Sequence, residues 1–241
     1  MNSINQPARD NSRGKIQWRY ALEGLVVASL LIGLLTFIRS NVTEGFMAAY
    51  RGELALLISI LLATFLLRLN GESWKNTGLS RPEDIRRLPA QTITVMVMAY
   101  AVAIFVTFLV AQLLGMEGPS QEQHSGVTGN ISEYLIHLTV ITWGTAAFLE
   151  EMIFRGFLIH RFAAALGNTR VAVVVAVLIQ SVLFGFAHPG QGPGGMLMTG
   201  AIGLVFGTLY VRYNRNLWPL ILAHGIMDTI GFTAIFFGAT L

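Results

Sequence analysis

Residues 148–155 read Phe-Leu-Glu-Glu-Met-Ile-Phe-Arg, between the apolar stretches "TVITWGTAA" and "GFLIH". Two carboxylates and a guanidinium in such surroundings are costly in a membrane, and their presence marks function. Two further apolar stretches hold ionisable groups: "FGFAH" ends in His188, and "HGIMD" runs from His224 to Asp228. Helical spacing sorts these residues. Side chains four apart share a face, and neighbours diverge by about 100°. Glu151 and Arg155 therefore neutralise each other, a pairing that also serves simply to lock helices. Glu150 projects elsewhere, with no partner on its own helix. His224 and Asp228 share a face, as do Phe184 and His188. Glu150, His188, His224 and Asp228 come from three separate segments and call for one shared polar cavity. His137 and His160 read as hydrogen-bonded packing residues.

A carboxylate beside imidazoles takes a proton from water and delivers it to a leaving amine, which is general acid–base hydrolysis. Rival chemistries are poorly supplied. The chain has no cysteine, no Gly-x-Ser-x-Gly and no His-Glu-x-x-His. Ser132 and Ser181 lie in unremarkable contexts. Two histidines and a carboxylate, namely Glu150, His188 and His224, leave zinc as an alternative, because metal ligands can come from separate helices.

The elements that must position these groups are membrane helices. The chain has 241 residues, of which 54% are hydrophobic and 12% charged, and its mean hydropathy is +0.60. Soluble domains carry about 25% charged residues. The net charge of +3 points to membrane orientation rather than to nucleic acid. Spans of about 20 apolar residues are expected at 18–38, 46–67, 90–115, 132–160, 171–188, 195–211 and 217–240. Backbone groups in lipid must bond internally, so these are helices. The fold class expected is all-α: a polytopic bundle of about seven membrane helices, with an eighth re-entrant or interfacial segment left open. The cavity falls to the fourth, fifth and seventh spans, in the inner half of the bilayer.

Arg155 apart, thirteen of the fifteen Lys and Arg residues fall on one side of this arrangement, and only Arg39 and Arg51 oppose. The N-terminus is then cytoplasmic and the C-terminus on the opposite side. Residues 1–17 read as a disordered cytoplasmic tail and 18–241 as a single membrane domain. Glu23 and Glu53 lie near span ends and are expected to reach the interface. Gly200, Gly203 and Gly207 in the sixth span suit close helix packing.

Three motifs carry a family pattern. "EEMIFR" matches Glu-Glu-x-x-x-Arg, "FGFAH" matches Phe-x-x-x-His, and "HGIMD" matches His-x-x-x-Asn/Asp. In this order on successive spans, over about 130–240, they resemble the CPBP (CaaX protease and bacteriocin-processing, or Abi) family, with its Rce1-like endopeptidases and its bacteriocin-immunity members. "SWKNTGLSRP" (73–82) is similar to a segment that precedes the family's core. The resemblance implies a cofactor-free intramembrane endopeptidase acting on membrane-associated peptides or proteins. Glu150 with His188 would activate the water, and His224 with residue 228 would line an oxyanion site. Glu151 and Arg155 would support them, with Phe184 packed alongside. Where an oxyanion donor would be Asn, residue 228 is Asp; an ionised Asp donates no hydrogen bond, so Asp228 is read as orienting His224. The rival readings are a metal-dependent version of the same peptidase, a proton or ion pathway, and a non-catalytic immunity protein.

One distance fits this scheme poorly. At about 1.5 Å per residue, Glu150 lies about 16 Å from Arg161 along its helix, but His188 lies about 27 Å from Arg170. If both arginines mark the same membrane surface, His188 sits too far out to meet Glu150.

Overall fold

The computed structural model describes residues 17–82, 84–116 and 127–239. The N-terminal tail expected over 1–17 lies almost wholly outside them. Among the described residues there are helices and turns but no strand. The helices are α1 (Trp18–Asn41), the short α2 (Phe46–Ala49), α3 (Arg51–Leu69) and α4 (Leu88–Leu114). A continuous helix then covers 131–165, built from α5 (Ile131–Ile136), a wider π-type segment (His137–Leu158) and α6 (Ile159–Ala165). It is followed by α7 (Arg170–Phe186), α8 (Gly192–Arg212) and α9 (Trp218–Phe236).

Local signals start these helices where they begin. Asn130 accepts from the Glu133 N–H at the head of α5, and Thr169 from the Ala172 N–H at the head of α7, so each supplies an N-cap acceptor. Proline stands in the first turn of α4, α8 and α9, where its missing N–H costs nothing. Five helical stretches are long and apolar enough to cross a membrane: Trp18–Asn41, Arg51–Leu69, Ile85–Leu114, Pro189–Arg212 and Trp218–Phe236. With 131–165 and the shorter α7 they make seven long helices, and the chain is an integral membrane helical bundle.

Two boundaries differ from expectation, and one helix takes a special place. The second span breaks at Tyr50, so α2 is separate from α3. The fifth ends at Phe186, and His188 lies beyond it at φ −114° and ψ 48°. The fourth is the central helix of the bundle: every residue from Glu151 to Ile159 is buried. The remaining helices turn apolar side chains outward, for example Leu22 and Phe37 of α1, Ile104 and Phe108 of α4, and Val171 and Val182 of α7. The first half of the central helix still exposes Ile131, Leu135 and Val140, but from Glu151 to Ile159 it has no outward face, which explains how it carries charges that a lipid-facing stretch could not.

Gln17 and the end of α9 at Phe236 lie at opposite ends of this central helix. The Gln17 N–H donates to the Ala165 carbonyl at one end, and the Gly129 N–H to the Phe236 carbonyl at the other. Near the first end, Arg161 is wholly buried and ion-paired with Glu23 at 2.8 Å and with Glu72. His160 Nε2 lies 3.0 Å from Glu72, and the Asn70 amide donates to Glu23. Burial works to raise the Glu72 carboxyl, but hydrogen bonds from His160 and Arg161 outweigh it and hold that carboxyl below its usual range. Glu23 therefore does not reach the interface; it ties α1 to α6. Arg161 does not mark the surface either, which removes the mismatch in depth: Glu150 is about 22 Å from the helix end at Ala165.

Packing of α7 on α8 relies on glycine, as the sequence suggests. A Cβ at Gly203 would stand 3.1 Å from the Phe184 ring, and one at Gly207 would stand 2.7 Å from the Gln180 amide. The absent side chains let Gln180 donate to the Gly203 carbonyl at 2.8 Å. This close approach fixes the end of α7, from which His188 emerges.

Candidate active site

Glu150 and Glu151 diverge as their spacing requires. Glu151 is wholly buried and its Oε1 accepts from two groups, Arg155 Nη1 at 3.0 Å and His224 Nδ1 at 2.9 Å. A carboxylate oxygen can only accept, so the Nδ1 of His224 carries the proton. The other ring nitrogen, Nε2, lies 3.6 Å from Asp228 Oδ2, within ion-pair range but too far for a good hydrogen bond. Asp228 thus stands beside His224, while the hydrogen bond that holds the ring comes from Glu151. Arg155 is wholly buried and makes no other hydrogen bond among the described residues. Its guanidinium lies over the Phe184 ring at 4.1 Å and over Phe206 at 5.0 Å.

Glu150 faces His188. Glu150 Oε2 is buried, has no hydrogen-bond partner among the described residues, and stands 4.0 Å from His188 Nε2. On the other side of that ring, Nδ1 lies 2.8 Å from the Phe184 carbonyl. A carbonyl accepts, so Nδ1 donates, and in the neutral ring Nε2 is left as an acceptor turned toward Glu150. Phe184 thus has two functions, packing edge-on against His188 at 4.8 Å and supplying the carbonyl that fixes its tautomer.

Elsewhere the positions follow from helix packing. Trp143 fits against Gly225, where a Cβ would be 2.6 Å from its ring, and its indole donates to Thr229. That contact sets α9 against the central helix and brings His224 to Glu151. A cavity of about 220 Å³ is lined by Glu150, Glu151, Arg155, His188, His224 and Asp228, with Thr199, Ile202 and Phe206 of α8. The sixth span is therefore part of the wall, which the motifs did not indicate. Phe206 packs edge-on against His224 at 5.8 Å, and an isolated phenylalanine in an apolar span carries no signal of such a role. A second cavity, of about 380 Å³, lies on the other side of the pair and shares Glu150, His188 and Gln191 with the first. It reaches Arg39, Arg51 and Glu53 at the end of the bundle remote from Gln17, together with His137. Glu53 lines this cavity, which extends from Glu150 and His188 toward that far end. His160 belongs to the Glu72 and Arg161 network.

The zinc alternative is tested by the donors themselves. Among the described residues no three His, Asp or Glu groups come together in a metal-holding arrangement. His224 has its Nδ1 bonded to Glu151, and its Nε2 stands 3.6 Å from Asp228. Glu150, His188 and His224 in this arrangement do not fit a common metal ion.

Comparison with known proteins gives one family. Residues 132–230 match the model of the Rce1-like family, described as type II CAAX prenyl endopeptidase Rce1-like. No curated protein and no solved structure matches the chain significantly. The matched segment begins at the head of the central helix, contains all three motifs, and ends two residues after Asp228. Residues 132–230 thus match an Rce1-like domain, consistent with the CPBP family that the three motifs resemble.

Proposed function

We propose that this chain hydrolyses peptide bonds of membrane-associated peptides or proteins, using a water activated by Glu150 and His188. The observation that carries this reading is the facing of Glu150 Oε2 and His188 Nε2 across 4.0 Å at the wall between two cavities. Both atoms are acceptors, and the gap is too long for a direct hydrogen bond but suits a water that donates to each. Glu150 takes the proton as the water oxygen attacks the carbonyl carbon. The same carboxyl then gives that proton to the leaving amine as the C–N bond breaks, so the products are a carboxylic acid and a free amine, and the acid passes its remaining proton to that amine or to water on release.

His224, held through Nδ1 by Glu151, presents Nε2 to the cavity, where an N–H would stabilise the oxyanion. Asp228 lies beside that nitrogen, 3.6 Å away. Arg155 and Glu151 act as positioning residues. The two cavities flank the reacting pair, so an extended peptide can lie across it. The charge asymmetry puts the Gln17 end of the bundle in the cytoplasm and the C-terminus outside; on that orientation the larger cavity opens outward.

The test uses purified protein in proteoliposomes with a quenched, membrane-anchored peptide. Wild type is expected to cleave, and Glu150→Gln and His188→Ala to insert and unfold thermally like wild type without cleaving. Undiminished cleavage by folded Glu150→Gln would overturn the mechanism.

A further inference from the structure

At the Gln17 end of the bundle, away from the catalytic cavities, a third cavity of about 470 Å³ is set between two loops distant in sequence. Five basic side chains line it: Lys75, Arg81 and Arg87 from the α3–α4 connection, and Arg212 and Arg215 from the α8–α9 connection. Among the described residues the one carboxylate in the wall is Asp84, and it is engaged by Arg87 at 3.1 Å and by the Arg86 N–H. Lys75, Arg81, Arg212 and Arg215 have no carboxylate within ion-pair distance among the described residues. Orienting the bundle requires basic residues on this side, but it does not require them to converge on one concavity.

The floor of this cavity is built. The Tyr210 hydroxyl, buried in the bundle, donates to the Thr77 carbonyl at 2.8 Å, and the Leu217 N–H donates to the Gly78 carbonyl. Gly78 has φ +97°, and a Cβ there would stand 1.8 Å from the Arg215 carbonyl oxygen, so only glycine admits this approach. Asn214 and Arg215 both adopt left-handed backbone, at φ 54° and 59°, and such strain persists only where the surroundings enforce it. The Trp218 indole donates to the Ser80 carbonyl at the rim. The basic side chains therefore stand on a clamped frame rather than on independent loops.

The surroundings say what meets this frame. The α3–α4 loop feeds through the turn at Ile85–Arg87 directly into α4, whose Ile93 and Val97 are exposed and apolar, as is Ile85 just before it. A tryptophan at the rim and apolar helix faces below are the pattern of a membrane–water interface. We propose that this cavity binds the phosphate of an anionic phospholipid headgroup, with the acyl chains lying along α4. Guanidinium groups suit phosphate oxygens by their forked donors, and basic pockets at this level select anionic lipid. Nothing in the proposal depends on the peptidase mechanism.

The test measures binding of phosphatidylglycerol and of phosphatidylcholine to the purified full chain in detergent, by tryptophan fluorescence and by thermal unfolding. Wild type is expected to bind and be stabilised by phosphatidylglycerol in preference to phosphatidylcholine. Lys75→Gln/Arg81→Gln/Arg212→Gln should bind phosphatidylglycerol at least ~10-fold more weakly. Arg170→Gln, which removes an exposed arginine outside the cavity at the same end, should keep the preference. If the triple variant does not fold, Arg81→Gln alone, in an exposed loop, should reduce the preference several-fold. Inorganic phosphate at millimolar concentration should neither stabilise the protein nor displace the lipid. Equal affinity for the two lipids in wild type, or an unchanged preference in the variants, would overturn the proposal. Displacement by inorganic phosphate would assign the cavity to a soluble anion instead.

Discussion

Replacing Glu151 by Gln tests how the site is held together. Glu151 Oε1 accepts from both Arg155 and His224, and all three groups are largely or wholly buried. Gln keeps an oxygen acceptor at Oε1 but loses the negative charge, and Arg155 has no second hydrogen-bonding partner among the described residues. Breaking one side of a buried pair costs about 3–5 kcal/mol. The retained acceptor, and the Phe184 and Phe206 rings over the guanidinium, place the loss near the lower end, at about 3 kcal/mol. For a chain of this size that corresponds to a fall in melting temperature of about 6–12 °C.

Activity should fall as well, because a neutral amide holds His224 less firmly. The double variant Glu151→Leu/Arg155→Met separates the two effects. Replacing a buried ion pair by apolar residues is often neutral, so the double variant should recover most of the stability and stay nearly inactive. The assays are thermal unfolding in detergent and cleavage of the quenched peptide. A Glu151→Gln protein that melts like wild type would refute the supporting role; if it were also inactive, Glu151 would have to take part in the chemistry itself.

Further expectations concern the reacting pair and its frame. Glu150→Gln should lower the cleavage rate by about 10²–10⁴, and Glu150→Gln/His188→Ala should be little worse than either single variant, because groups acting on one water are non-additive; rates that multiply would show independent roles. Gly203→Val should displace Phe184, whose ring is only 3.1 Å from the site of a Cβ, lowering the melting temperature by several degrees and reducing activity through His188; wild-type cleavage would mean that the α7–α8 contact does not position the ring. Exhaustive chelation should leave cleavage unchanged, and activity lost to a chelator and restored by zinc would reinstate the metal reading. Reporter fusions at residues 125 and 241 should both read external, and a cytoplasmic reading at 241 would reverse the orientation.

Much of the architecture was legible because the bilayer imposes one rule on every span. About 20 apolar residues are required and the backbone must bond to itself, so hydropathy alone located seven helices. The same rule singled out Glu150, Glu151, Arg155, His188, His224 and Asp228, since ionisable groups in apolar sequence are rare. Spacing within one helix also served: the Glu151–Arg155 bond lies along the central helix, where four residues bring side chains together.

Contacts between helices were not written in any one stretch. That Glu151 rather than Asp228 holds His224 depends on how α9 rotates against the central helix, which the Trp143–Gly225 fit decides. That Phe206 of α8 closes the site depends on glycine contacts bringing α8 against α7. Arg161 misled the estimate of depth because an arginine near a helix end reads as a surface marker, whereas Glu23 and Glu72, remote in sequence, neutralise it in the interior. Sequence by itself determined which segments leave water and which polar groups go with them, because that is a transfer free energy summed along the chain. Tertiary structure alone decided which of those polar groups meet, because a hydrogen bond between helices is set by their rotation and separation to within fractions of an ångström, and no local pattern encodes either.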